Sequence, residues 1–451
     1  VVSKGYGVIN TRTNKPVDAY SQFQIASNSK AFTGTAVATL NSQNKLLLDE
    51  KVSKYMPDFK LYDEASSMLV TVRDLMCHRM GFQTFQGDFL NWGSTLTREE
   101  IIEKLRDTKP VYPFRYQYGY NNAGFITAAQ LIETVTDTSW DDYIRIHYFE
   151  PLQMKHTGTS YADFIADENA CTPYTILDNK LLELPVANIE NMGGAAAINS
   201  CVADMANWLI MQLDSGRFNN KQLVPWKVIA ETRKSNTIVG DINSRLFTSK
   251  HFSTYGLGWE SYDYNGRRVY EHGGGSNGFV TKTEYIPEEK LGILVYTNTD
   301  VNSLYDALVK QVIEAYFKMP YRNLSELYYN RSKPFFEEEQ RIIDSMRTEV
   351  LKNRKPPLDL AAFTGVYKNS FYGKIEIKLE KGKLNMYFEH HPGNIGKLEY
   401  MNDNDFLCTY TDATCGIQKI SFAIENTSVE SVTVKVNDFI DYLSYDFVKE
   451  K

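Results

Sequence analysis

Cysteine is scarce in this chain. The 451 residues hold five, none in a Cys-x-x-Cys pair and none at a metal-holding spacing. No cysteine-based metal module is indicated. Cys77, Cys171, Cys201, Cys408 and Cys415 read as free thiols. Cys408 and Cys415, which flank a strand-turn-strand, could pair only in an exported protein. No basic block occurs, and the net charge of −7 excludes a nucleic-acid partner. No apolar run is long enough to span a bilayer, so no integral membrane segment is expected. No signal peptide is visible. Val1-Val2-Ser3-Lys4-Gly5 reads as the middle of a strand, which suggests a missing N-terminal piece and leaves export open.

What is present is organised around Phe23-Gln24-Ile25-Ala26-Ser27-Asn28-Ser29-Lys30-Ala31-Phe32. An apolar approach ends at Ser27, and Phe32, Ala36, Val37 and Leu40 then recur at helical spacing. Ser27 thus opens a helix, where unpaired N–H groups and the dipole favour negative charge. Lys30 lies three residues on and shares its face. A hydroxyl beside an amine at that place suits nucleophilic acyl transfer. A second copy, Ser42-Gln43-Asn44-Lys45, falls at the far end of the same helix, where the dipole has the wrong sign.

The chain before Ser27 reads as a strand, a turn at Asn14-Lys15-Pro16 and an extended approach. Thr71 caps a short helix containing His78, which reads as a histidine tying down the following loop. Thr97-Arg98-Glu99-Glu100 is a capping box. The aromatic loop from Pro113 to Gly124 places Tyr120-x-Asn122 at a loop-to-helix junction, although Tyr-x-Asn also begins at Tyr296, Tyr321, Tyr328, Tyr367 and Tyr400. Asn191 to Ala197 is a flexible small-residue segment.

Strand patterning begins at Gly256, with Leu257–Tyr264 and Arg267–Glu271 joined by Asn265-Gly266 as a hairpin. The run from His272 to Gly278 follows, then strands to Tyr285 and from Leu291 to Tyr296, then a helix from Asn302 ended by Pro320. Of three His-x-Gly triplets, at His156, His272 and His391, only His272 ends a predicted strand and opens a glycine run. Glycines there let a substrate lie against the strand edge. The expected fold class is α+β: an antiparallel sheet flanked by helices. Residues 1–330 form this domain, 331–359 a charged linker, and 360–451 a small antiparallel β-barrel. His390-His391 sits in a turn and reads as solvated rather than metal-bound.

Ser27-x-x-Lys30, Tyr120-x-Asn122 and His272-Gly273-Gly274, in that order, resemble the penicillin-recognising serine hydrolases. The likeness is to class C β-lactamases, DD-peptidases and their esterase and D-aminopeptidase relatives. It covers residues 1 to 318 and takes in Arg73-Asp74-Leu75 and Pro113-Phe114-Arg115, and the C-terminal region looks like an appended lipocalin-like domain. The resemblance implies a β-lactamase/transpeptidase-like fold and a serine hydrolase that cleaves amide or ester bonds. Ser27 would be acylated, and Lys30 and Tyr120 would share its proton. Asn122 would bind the substrate amide and position Lys30. His272, Gly274 and Gly275 would bind substrate, with the N–H groups of Ser27 and Gly275 forming the oxyanion hole. No cofactor or metal is implied. The substrate would be a small molecule or peptide, the location periplasmic or extracytoplasmic, and the oligomeric state is unknown. His272 stands where many lactamases carry lysine, which weakens recognition of a substrate carboxylate. The alternative is an idle penicillin-binding-like protein that holds peptide or cell-wall fragments.

Overall fold

The structure, a computed structural model, describes residues 1–241 and 246–450. Helix α1 (Ser29–Ser42) is almost wholly buried and runs through the middle of a helical layer. A three-residue 3₁₀ turn, Ala26–Asn28, precedes it, so Ser27 sits in that turn rather than in the helix proper. Helix α2 (Asn122–Thr136) packs beside α1 with Phe125, Ile126, Leu131 and Ile132 inward.

The helical layer covers one face of a six-stranded antiparallel meander. Its strands are β1 (Thr237–Asp241), β2 (Phe252–Tyr255), β3 (Glu260–Tyr264), β4 (Arg267–Ser276), β5 (Phe279–Ile286) and β6 (Leu291–Thr297). Alternation divides the sheet's side chains between two cores. Tyr270 and Tyr285 join the helical core, whereas Tyr264 and Val269 join a smaller one under α3 (Leu304–Tyr316).

Two strands, β1 and β2, precede Gly256, where strand patterning was expected to begin. Gly256 to Trp259 form a turn instead of the start of a strand. That turn presses on α1. Gly258 has φ +81°, and a Cβ there would lie 2.2 Å from the carbonyl oxygen of Lys30. Gly258→Ala is therefore expected to destabilise the fold by about 3 kcal/mol or more, read as a fall in Tm.

The first seven residues form no strand. Pairing begins at the Val8–Pro16 bridge, and Val1 and Val2 are exposed. A strand needs a partner, and among the described residues none pairs with this segment.

Residues 324–351 form one helix, α4 (Leu324–Leu351). Its Ile343 packs on Met401, Leu407 and Ile417 of the C-terminal unit. That unit is a closed eight-stranded antiparallel barrel running from Gly365–Asn369 to Ser444–Lys449. All five cysteines are buried and free.

The barrel docks on the first domain. Phe89 stacks on Tyr372 and His391 at ring distances of 5.0 Å each. His391 Nε2 donates to the carbonyl of Trp92 at 3.0 Å, and Nδ1 meets the Tyr372 hydroxyl at 2.5 Å. His391 is thus buried between the units, not solvated, because its ring fills the aromatic contact made by Phe89.

Candidate active site

The sharp turn into α1 fixes Ser27. Ala26 has φ +45°, a costly conformation for a residue with a Cβ, held here by its surroundings. Ser29 Oγ donates to the carbonyl of Ala26 at 2.7 Å, and Asn28 Nδ2 donates to the carbonyl of Ile25 at 3.0 Å and to Thr281 Oγ1 at 2.9 Å. The turn is tied to both its own helix and strand β5. Ser27 itself is half-buried and lines a cleft of about 320 Å³.

Lys30 is fully buried, and its Nζ donates to Ser27 Oγ at 3.0 Å, Asn122 Oδ1 at 2.6 Å and the carbonyl of Ala195 at 3.0 Å. Loss of solvation lowers its pKa to about 7, although the Asp88 carboxylate pulls the other way. The amine can therefore shed a proton at neutral pH. In the neutral form its two N–H bonds can keep Asn122 and Ala195 while the lone pair turns to Ser27.

Tyr120 hydrogen-bonds Ser27, and the Lys30 ammonium lies 4.7 Å from its ring centre. Burial raises the phenol far above its usual pKa, so it stays protonated. Its loop is held from below. The buried Asp74 carboxylate accepts from Arg79 and Arg115, each at 2.5 Å. His78 Nδ1 accepts the Asn121 N–H at 3.0 Å, and its ring stacks on Tyr120 at 4.4 Å. His78 ties down the loop, as its place in the sequence suggests.

The strand around His272 corrects the sequence reading. Strand β4 does not end before His272 but runs on to Ser276, and the turn falls at Asn277-Gly278. Strand β3 pairs with β4 only as far as Glu271, so among the described residues 272–276 pair only with β5 and turn their other edge to the cleft. The ring of His272 is engaged by its own neighbours: Nδ1 donates to the carbonyl of Gly273 at 2.7 Å, and Nε2 accepts from the Tyr255 hydroxyl at 2.9 Å. The Tyr120 ring stands 6.2 Å away. Burial and the nearby Lys30 lower the His272 pKa to about 3. It is neutral at physiological pH and offers no cation. His272→Gln is thus expected to leave any activity titration near pH ~7 in place, checked by kcat/KM against pH.

Ser27, Lys30, Tyr120, Asn122, His272, Gly274 and Gly275 converge on one place. The amide of Asn122 is largely committed, with Oδ1 to Lys30 and Nδ2 to Asp88 at 2.7 Å, and one N–H remains for a substrate. The Ser42 copy is not part of the cleft; its hydroxyl donates to the carbonyl of Thr39 at 2.9 Å.

Four contributors were not foreseen. Asp88 carries a faint signal, as an acidic residue opening the apolar Phe89-Leu90 turn. The Ala195 carbonyl comes from the segment read as flexible, where Gly194 at φ +92° fits against Phe125. Phe439 and Ile440 reach the cleft from the barrel, with Phe439 lying over Gly275. No local pattern marks a contact between residues so far apart in the chain. Among the described residues no cluster could hold a metal ion, and no helix is long and apolar enough to cross a membrane.

Comparison with known proteins bears on the fold and the family. The C-terminal residues 351–449 match a domain of unknown function, DUF3471. The chain is 26% identical over 416 residues to the "Unguisins hydrolase ungD" of Aspergillus violaceofuscus, covering 85% of this chain and 72% of that one. The octameric penicillin-binding protein homologue from Pyrococcus abyssi superposes over 100% of this chain and 93% of its own, with a TM-score of 0.62 at 21% identity. A D-stereospecific amidohydrolase from Streptomyces sp. covers 66% of this chain and 87% of its own, with a TM-score of 0.53 at 20% identity. Residues 1–317, the helices and sheet that carry Ser27, Lys30, Tyr120 and His272, match the family described as Beta-lactamase, and the chain belongs to that family.

Proposed function

We propose that the chain is a metal-independent serine hydrolase that cleaves amide or ester bonds through an acyl-enzyme on Ser27. The observation that carries this reading is the buried Lys30 amine, 3.0 Å from the Ser27 hydroxyl, with a pKa lowered to about 7. The neutral amine takes the proton as Ser27 Oγ attacks the carbonyl carbon. The N–H groups of Ser27 and Gly275 receive the developing oxyanion, each worth roughly 3 to 4 kcal/mol of barrier. Tyr120, held protonated, passes a proton to the leaving group and regains one from Lys30. Water then enters by the reverse path and frees Ser27.

The cleft suits a small-molecule or peptide substrate without a required carboxylate, because His272 is neutral and engaged by its own neighbours. Hydrolase names among the relatives agree with this reading. The test is hydrolysis of a neutral p-nitrophenyl ester against pH. A base acts only when deprotonated, so kcat/KM should be low below the Lys30 pKa of about 7 and rise through it. No turnover at any pH would point to the idle binding protein instead.

A further inference from the structure

The turn that carries Asp88 is held by the barrel. Asp88 is 2% exposed, and its Oδ2 accepts from Asn122 Nδ2. The residue before it, Gly87, has φ +87° and donates its N–H to Asp441 Oδ2 at 3.0 Å and to the Tyr445 hydroxyl at 2.9 Å. The N–H of Phe89, the residue after, reaches the same Asp441 oxygen at 3.4 Å. Asp441 is itself fully buried, with Leu443 N–H on Oδ1 at 2.9 Å and the Tyr445 hydroxyl on Oδ2 at 2.7 Å. A carboxylate of the barrel thus brackets the Asp88 turn from one side, and the Asn122 amide joins Asp88 to Lys30 on the other.

We infer that Asp88 and the barrel's Asp441 are positioning residues for Lys30, and that the barrel sets the proton affinity of the active-site amine through this chain. The inference rests on the reading of Lys30 as the base. The groups facing Lys30 are Ser27, Tyr120 and Asp88, with the neutral His78 and His272 beyond. The groups facing Asp88 are Lys30, Asp441, Tyr120 and Tyr445. Burial and then repulsion by Asp441 raise Asp88 to about 7, and burial raises Asp441 to about 6.

The signs of the two effects are opposite. The Asp88 charge favours the Lys30 ammonium, so Asp88→Asn, which keeps an acceptor for Asn122, should lower the Lys30 pKa by about one unit. The Asp441 charge opposes ionisation of Asp88, so Asp441→Asn should let Asp88 ionise more readily and raise the Lys30 pKa. In the double variant the Asp441 effect should vanish, because its intermediary is gone.

The experiment follows the Lys30 side chain by NMR in the full chain labelled with ¹³Cε-lysine, its signal identified by loss in Lys30→Arg. It is titrated in the wild type, both single variants and the double variant, with kcat/KM against pH as a parallel readout. Opposite shifts that collapse in the double variant support the inference. Unmoved titrations, or an Asp441→Asn effect that persists without Asp88, overturn it even if turnover is lost through misplacement of the turn. Shifts of the expected signs in a chain that never turns over substrate would instead sink the hydrolase reading and leave this coupling standing.

Discussion

Ser27→Ala is expected to abolish hydrolysis, by at least ~10³-fold in kcat, while Ser42→Ala stays near the wild-type rate. Both serines belong to Ser-x-x-Lys copies on the same run of chain, so the pair isolates position from motif. Ser27 sits in the turn before α1, touches Lys30 at 3.0 Å and opens on the cleft. Ser42 lies 15 residues on, about 22 Å along the helix, and its hydroxyl caps the carbonyl of Thr39. There the dipole presents its negative end and disfavours an oxyanion. Comparable losses in both variants would remove Ser27 from its role.

Lys30 should be nearly as sensitive, and in a way that separates charge from chemistry. Lys30→Met keeps the stem and removes the amine, and should cost ~10³-fold or more in kcat. Lys30→Arg should not rescue it. Guanidinium keeps a positive charge and can still donate to Asn122, but it does not lose a proton in the working range. If the role of Lys30 were only to place a cation near Ser27, arginine would restore a substantial fraction of activity. Equal defects in both variants, with Tm values near wild type, would place the role in proton transfer.

Much of this was legible from local pattern, and the reasons differ by element. The start of α1 was visible because helical periodicity begins just after Ser27, but the 3₁₀ turn that holds Ser27 was not, since neither it nor α1 carries a side-chain cap. Asn265-Gly266 marks a two-residue hairpin, and that hairpin joins β3 and β4. The barrel was visible as alternation, as in Gly373–Glu380, where Ile375 and Ile377 point inward between charged neighbours. Strands β1 and β2 were not visible, because Thr237–Asp241 holds two glycine- or acid-bearing positions and only a short apolar run. The continuation of β4 through three glycines was hidden for a related reason. Glycine has no β preference, and only pairing with β5 keeps Gly273 to Gly275 extended.

The site divides in the same way. Motifs point to Ser27, Lys30, Tyr120 and Asn122, which the structure brings together, whereas the state of His272 has no local signal, since its tautomer and low pKa come from Tyr255 and from burial. Asp88 and Asp441 lie 353 positions apart in the sequence and meet only through the docking of the barrel.

The most direct test of the central claim is to trap the acyl-enzyme. The full chain is incubated with a slowly released active ester or a serine-reactive fluorophosphonate, then digested and mapped by mass spectrometry. One adduct is expected, on the peptide carrying Ser27, forming faster above pH ~7 than below it and absent in Ser27→Ala. An adduct on another residue, or undiminished hydrolysis by Ser27→Ala, would contradict the account.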